Sequence, residues 1–205
     1  MVASITSCKK NHDDDNANLP DQIKKFVPQN VIDSFKHAGF TINEGKNPPL
    51  MNGIYNFKPD LCVYDNSIYD QAGELFDDYR IRFRDQDNSN FSIATDYKSL
   101  AGGDAGNGSG SFISGDGNTF TVFIDAQGQE SGITYKAVIC FSGEKTSTGI
   151  KNLQLGTYLK EKGNDPNDEL VDPGTTRAFN DNDKISETNA TYRSMTSLKG
   201  IFRSN

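Results

Sequence analysis

Large apolar residues recur along this chain at two different periods. Between Pro28 and Gly39, Val31, Ile32, Phe35 and Ala38 fall at one-, three- and four-residue steps, the spacing of a single helix face. Pro28 opens such a helix well, and Gly39 ends it in a left-handed cap that positions Phe40 to fold back on the last turn. So short a helix is marginal alone and gains its stability by burying its apolar face, which predicts that it flanks or plugs a larger unit. Gly45-Lys46-Asn47-Pro48-Pro49 then interrupts the chain, because each proline removes a backbone donor and restricts the residue before it.

Beyond that break the period is two. Tyr55 and Phe57 share one face of a strand beginning at Gly53; Tyr79, Ile81 and Phe83 share one face of another while Arg80, Arg82 and Arg84 take the opposite one, the signature of a half-buried strand. Further strands are predicted over 91–97, 112–114, 120–124, 133–141 and 153–159, a short one at Arg177-Ala178-Phe179, and a return of Ile201 and Phe202 to close the sheet. Short polar stretches such as Gly115-Asp116-Gly117-Asn118 and Asp125-Ala126-Gln127-Gly128 read as hairpin turns. No crossover helix fits between the strands, so the pattern predicts a mostly β domain, an antiparallel meander closed as a β-barrel, with a β-sandwich as the alternative. A barrel of about eight strands has room inside for packed side chains or one small ligand. Tyr55, Phe57, Tyr79, Ile81 and Phe83 are the expected ligand-binding or interior residues.

The first residues have neither period. Residues 1–8 end in Ile5-Thr6-Ser7-Cys8, and residues 9–19 are polar and charged, KKNHDDDNANL, which reads as a flexible tether leading into a single domain over 20–205. Met1 to Ser7 is far shorter than the roughly 20 apolar residues of a spanning helix. Small residues directly before Cys8 resemble the lipobox of bacterial lipoprotein signals, which implies acylation of Cys8 and a membrane partner held through the acyl chains. Lys9 and the aspartates 13–15 are similar to the charged stretch behind the lipid cysteine of surface lipoproteins.

Composition narrows the chemistry. The 205 residues carry 21 Lys and Arg against 28 Asp and Glu, a net charge of -7, which gives no general attraction to nucleic acid. Thirteen Phe and eight Tyr can build a core although only 34% of residues are apolar. Two His and three Cys leave few routes to imidazole or thiolate catalysis. His12 lies in the tether and His37 on the helix, and no Gly-x-Ser-x-Gly elbow is present. Gly102 to Gly110 is rich in glycine but lacks the Lys-Ser/Thr ending of a phosphate cradle, so it reads as a mobile hairpin loop. Asp85 to Asn90 departs from a calcium loop by placing Asn90 where glycine belongs; it reads as a hairpin, as does Asp181-Asn182-Asp183. Cys62 and Cys140 are either two buried small side chains or, if their strands meet, an export-compatible disulfide.

The helix, the Pro-Pro break and the strand Gly53-Ile54-Tyr55 resemble the opening of a lipocalin-type (calycin-like) barrel. That family usually has Trp where this chain has Tyr55, and this chain contains no Trp. The stretches PQNVIDSFKHAGFTINEGKNPPLMNGIYNF, GSGSFISGDGNTFTVF and FNDNDKISE are similar to uncharacterised secreted lipoproteins of Bacteroidetes-type bacteria, whose membership implies a domain at the outer membrane, facing the cell surface or the periplasm, and supplies no catalytic residues. The expected function is a non-enzymatic, lipid-anchored domain that binds a small apolar or amphipathic ligand. An adhesin-like structural or glycan-binding domain is the alternative, and a hydrolase using paired carboxylates the third reading. No motif calls for a metal, a cofactor or a nucleic-acid partner.

Overall fold

Period-two alternation becomes one large sheet. The computed structural model describes residues 18–58, 60–189, 191–192 and 200–204, so Cys8, His12 and most of the expected tether lie outside the described residues. Two helices, α1 (Asp21–Phe26) and α2 (Gln29–His37), precede twelve strands: β1 (Lys46–Asn47), β2 (Gly53–Phe57), β3 (Asp60–Asp65), β4 (Leu75–Phe76), β5 (Tyr79–Asp87), β6 (Ser92–Ser99), β7 (Asp104–Asp116), β8 (Thr119–Glu130), β9 (Ile133–Lys145), β10 (Gly149–Lys162), β11 (Thr176–Asp181) and β12 (Ile185–Glu187). The fold is mostly β, as the pattern predicts.

From β5 to β10 the strands form an antiparallel meander in chain order, with β2 beside β5 and with β11, β3 and β4 beyond β10. β10 changes partner along its length. Gly149 to Lys151 pair with β12, and Gln154 to Tyr158 pair with β11, across a register shift between Lys151 and Gln154. Just past β12, Thr188 bridges Tyr55 of β2, and the Asn189 amide donates to the Ile54 carbonyl at 2.8 Å. A hydrogen-bonded path therefore leaves β2 through β5 and returns to it from β10 by way of the β12 segment.

Burial follows the two faces of the sheet. Tyr79, Ile81 and Phe83 point into the inner cluster with Tyr55, Phe120, Phe141 and Phe179, whereas Arg80, Arg82 and Arg84 face outward. Arg82 and Arg84 both hold Asp96, Arg80 donates to Asn56, and Arg82 lies 4.7 Å over the Tyr192 ring. A second cluster sits on the outer face of the sheet, where α1 and α2 cover Phe123, Val138 and Cys140 with Ile23, Val31, Ile32 and Phe35. Leu19, given to the tether by its polar neighbours, is buried in this cluster. The end of α2 closes as the sequence predicts: the Phe40 amide reaches the Phe35 carbonyl, the Gly39 amide reaches Lys36, Gly39 has φ 77°, and the Phe35 and Phe40 rings pack at 5.6 Å.

Two turn expectations fail for one physical reason. Gly102 to Gly110 is not a loop from Asp104 onward, and Asp125 to Gly128 is not a hairpin turn; both lie within β7 and β8, paired from Asp104–Glu130 to Asp116–Thr119 with a register shift between Gly108 and Gly110. Their glycines are there for space. A methyl group on Gly106 would collide with the Tyr97 hydroxyl, and one on Gly128 with the Tyr135 ring. Cys62 joins the inner cluster and Cys140 the outer one, and both are free thiols, so no disulfide links them. Gly106→Ala is expected to cost about 1–3 kcal/mol in urea unfolding through overpacking, and the same change made on Tyr97→Phe is expected to cost less, because the nearest colliding atom, the hydroxyl, is gone while the ring carbon behind it remains.

Candidate functional site

The five residues singled out by alternation come together. Tyr55, Phe57, Tyr79, Ile81 and Phe83 are all buried in the inner cluster. Phe83 is central, with Tyr55 at 5.9 Å, Phe141 at 6.0 Å and Phe120 at 6.3 Å, the last two edge-on. Tyr55 donates its hydroxyl to the Met51 carbonyl at 3.1 Å. None of the five lines any of the four described clefts.

The largest of those clefts is on the outer wall, where β10 exchanges β12 for β11. Its volume is about 440 Å³. Asn152, in a left-handed conformation at φ 49°, marks the bulge that opens it. Its walls are amides and hydroxyls: Thr41 and Asn43 from the strand-like segment after α2, Ser142 of β9, Gln154 of β10, Asn180 of β11 and Asn182 of the turn after it. Lys151, Lys184, Glu144 and Asp181 add both signs of charge, and Leu61 and Leu153 are the apolar lining. These side chains are held in place. Gln154 accepts from the Thr41 amide at 2.9 Å and donates to Asn180 at 3.1 Å, while the Asn43 side chain donates to Ser142 and to the Phe120 carbonyl. Sequence reading missed this site because its residues are ordinary polar types brought together from distant parts of the chain, Thr41 and Gln154 bonding across 113 positions; only Asp181-Asn182-Asp183 was singled out, as a turn.

A second polar arrangement is sealed inside. Asp104 and Glu130 are cross-strand partners at the ends of β7 and β8, both almost wholly buried. Asp104 accepts from Tyr79 at 2.6 Å and from Tyr135 at 2.8 Å, and Tyr135 meets Tyr97 at 2.8 Å. Burial pushes all three phenols well above their usual range. It also raises the Asp104 carboxyl to about 6, against the pull of the two phenol donors, and it raises Glu130, with Asp104 adding repulsion. Glu130 accepts the Phe202 amide at 3.1 Å, which tucks Ile201 and Phe202 against this end of the sheet. Nearby, the fully buried Arg177 pairs with Asp65 at 3.0 Å and donates to the carbonyls of Ile201 and Arg203 at 2.9 and 2.8 Å. Burial pushes Asp65 up, but the Arg177 charge and the Ser67 bonds outweigh it and leave the carboxyl below its ordinary value.

His37 packs edge-on against Tyr64 at 5.9 Å, a packing role on α2. No set of three acidic, histidine or cysteine side chains stands together at ligand spacing among the described residues, and no described helix is long and apolar enough to cross a membrane. Comparison with protein-family models, curated proteins and solved structures finds no match.

The interior carboxyls fix a pH dependence. A carboxyl whose folded value is raised stabilises the fold fully below its unfolded value of about 4, and that contribution is lost as pH rises through the folded value. For Asp104 the window runs from about 4 to about 6. Asp65, held low, gives up its contribution only when pH falls below about 4. Urea unfolding is therefore expected to show lower stability at pH 8 than at pH 5, by about 1–1.5 kcal/mol from Asp104, and Asp104→Asn is expected to flatten that slope.

Proposed function

We propose that this chain is a lipid-anchored, non-enzymatic domain of the outer membrane, facing the cell surface or the periplasm, whose β-barrel presents a polar binding cleft on its outer wall. The barrel reading rests on the path that returns to β2 through the Tyr55–Thr188 bridge. It agrees with the lipocalin-like opening of the sequence, but not with a lumen that holds a ligand. Aromatic rings occupy that space, and a small apolar ligand needs a concave apolar pocket of about 300 Å³ or more.

One observation carries the binding reading: the largest described cleft is lined by amides and hydroxyls fixed by their own hydrogen bonds, with Leu61 and Leu153 as its apolar contribution. Such side chains offer donors and acceptors in both directions, the requirement for a neutral polyhydroxylated ligand, so a glycan is the ligand class. Anchoring rests on Ile5-Thr6-Ser7-Cys8, with the acyl chains of Cys8 supplying membrane affinity.

Binding to immobilised neutral oligosaccharides tests the cleft. Asn180→Ala and Asn182→Ala are each expected to weaken the best binder roughly tenfold, the effect of about 1.4 kcal/mol, while Phe83→Leu leaves affinity per folded molecule unchanged. Equal binding by all three variants, or no binding to any oligosaccharide, would contradict the reading. An intact mass from the native host tests the anchor: a mature chain beginning at acylated Cys8 is expected, and an unmodified Cys8 thiol removes the anchor from the proposal.

A further inference from the structure

We propose that Asp60 and Asp181 form a divalent-cation site, of the all-oxygen kind that calcium occupies, where β3 meets β11. The two residues are cross-strand partners in the register of those strands. Asp60 alternates with Cys62 of the inner cluster, and Asp181 alternates with Phe179 of that cluster while also bordering the cleft described above. Asp60 is completely buried and Asp181 nearly so.

What distinguishes Asp60 is the lack of any partner. The protein supplies a donor to its other buried carboxylates: Arg177 to Asp65, two phenols to Asp104, the Ser99 hydroxyl to Asp77, and the Phe202 amide to one oxygen of Glu130. Where acidic residues crowd a loop, it supplies a cation of its own; the Lys162 ammonium sits among Asp165, Asp168 and Asp172 at 3.2, 2.8 and 3.3 Å. No hydrogen-bond donor reaches either oxygen of Asp60, and Oδ1 of Asp181 is equally bare, its Oδ2 being taken by Ser186.

A proton alone does not resolve this. Protonating Asp60 removes its charge and at most gives the bare Oδ1 of its cross-strand partner Asp181 a donor, but the other Asp60 oxygen still has no partner, and such a group costs about 1–3 kcal/mol. A cation answers both deficits at once. Its charge is also favoured from outside, because Asp78, Asp181 and Asp77 all act repulsively on Asp60 and Asp183 acts on Asp181 and Asp78, while Lys58 acts the other way on Asp78. Two carboxylates balance a divalent charge. Since no set of three acidic, histidine or cysteine side chains stands at ligand spacing among the described residues, backbone carbonyls or water complete the coordination, as hard cations accept. The only donors in this account are oxygens, which selects calcium or magnesium over thiolate- and imidazole-seeking metals. The inference goes beyond the glycan reading and does not depend on it: the cleft could bind nothing and these carboxylates would still need a partner.

The test uses the full chain after washing with a chelator. Calcium chloride at 1 mM is expected to raise the thermal midpoint by about 5 °C or more, and calorimetric titration is expected to return one ion per chain. Asp60→Asn, nearly the same shape without the charge, is expected to abolish both responses, with Asp181→Asn weakening them. If Asp60→Asn does not fold, Asp181→Asn and the ion count on the unmodified chain carry the test. No midpoint shift and no binding heat with calcium or magnesium would overturn the proposal, leaving a proton shared with Asp181, or buried water, as the partner of Asp60. A shift that persists undiminished in both variants would overturn the assignment to these residues.

Discussion

Aromatic rings crowd the inner cluster of the sheet, and the rest of the molecule is arranged around that packing. Phe83 contacts Tyr55, Phe120 and Phe141, and interiors packed in this way hold few voids larger than a water molecule. Every strand from β5 to β10 therefore commits its inward residues to packing. The opposite face is shared between the helices and a polar seam. There the helices cover Phe123, Val138 and Cys140, and the polar seam between β10, β11 and β12 stays open.

The same packing makes the buried polar groups expensive. Carboxylates sealed among rings must find donors in the protein or give up their charge. Two tyrosines meet that demand at Asp104 and one arginine at Asp65, and in doing so they bind distant parts of the chain together. Asp104 draws Tyr79 and Tyr135 from β5 and β9. Arg177 joins Asp65 on β3 to the carbonyls of Ile201 and Arg203, so the segment from Gly200 to Ser204 is held through its backbone by a side chain from β11. Removing one member of such a buried pair strands the other charge, which makes these contacts structural constraints as well as local bonds.

Much of this fold was legible in the sequence where one local rule acts alone. The alternation over Tyr79 to Arg84 separates packed from solvated faces because side chains on a strand point to opposite sides, and the Ala38-Gly39-Phe40 cap follows from backbone geometry. Legibility failed where the reason lies across the sheet. The glycines of β7 and β8 look like loop residues until Tyr97 and Tyr135 are placed beside them. Arg177 looks like a surface residue until Asp65 meets it. The cleft could not be read at all, since Thr41, Gln154 and Asn180 become neighbours only through the exchange of partners along β10. Asp60 gave no signal either, because an aspartate next to a proline is commonplace and its lack of a donor is a property of the folded interior.

The central claim is that the inside of the sheet is a core and the outer seam is the place of recognition. Amide chemical-shift mapping on the isotope-labelled chain tests it most directly, with a neutral oligosaccharide and a long-chain fatty acid titrated in turn. The account predicts that the oligosaccharide moves resonances of Thr41, Gln154, Asn180 and Asn182 and that the fatty acid leaves Tyr55, Tyr79 and Phe83 unmoved. Saturable shifts at Tyr55, Tyr79 and Phe83 with the fatty acid, and none at the seam with the oligosaccharide, would contradict it.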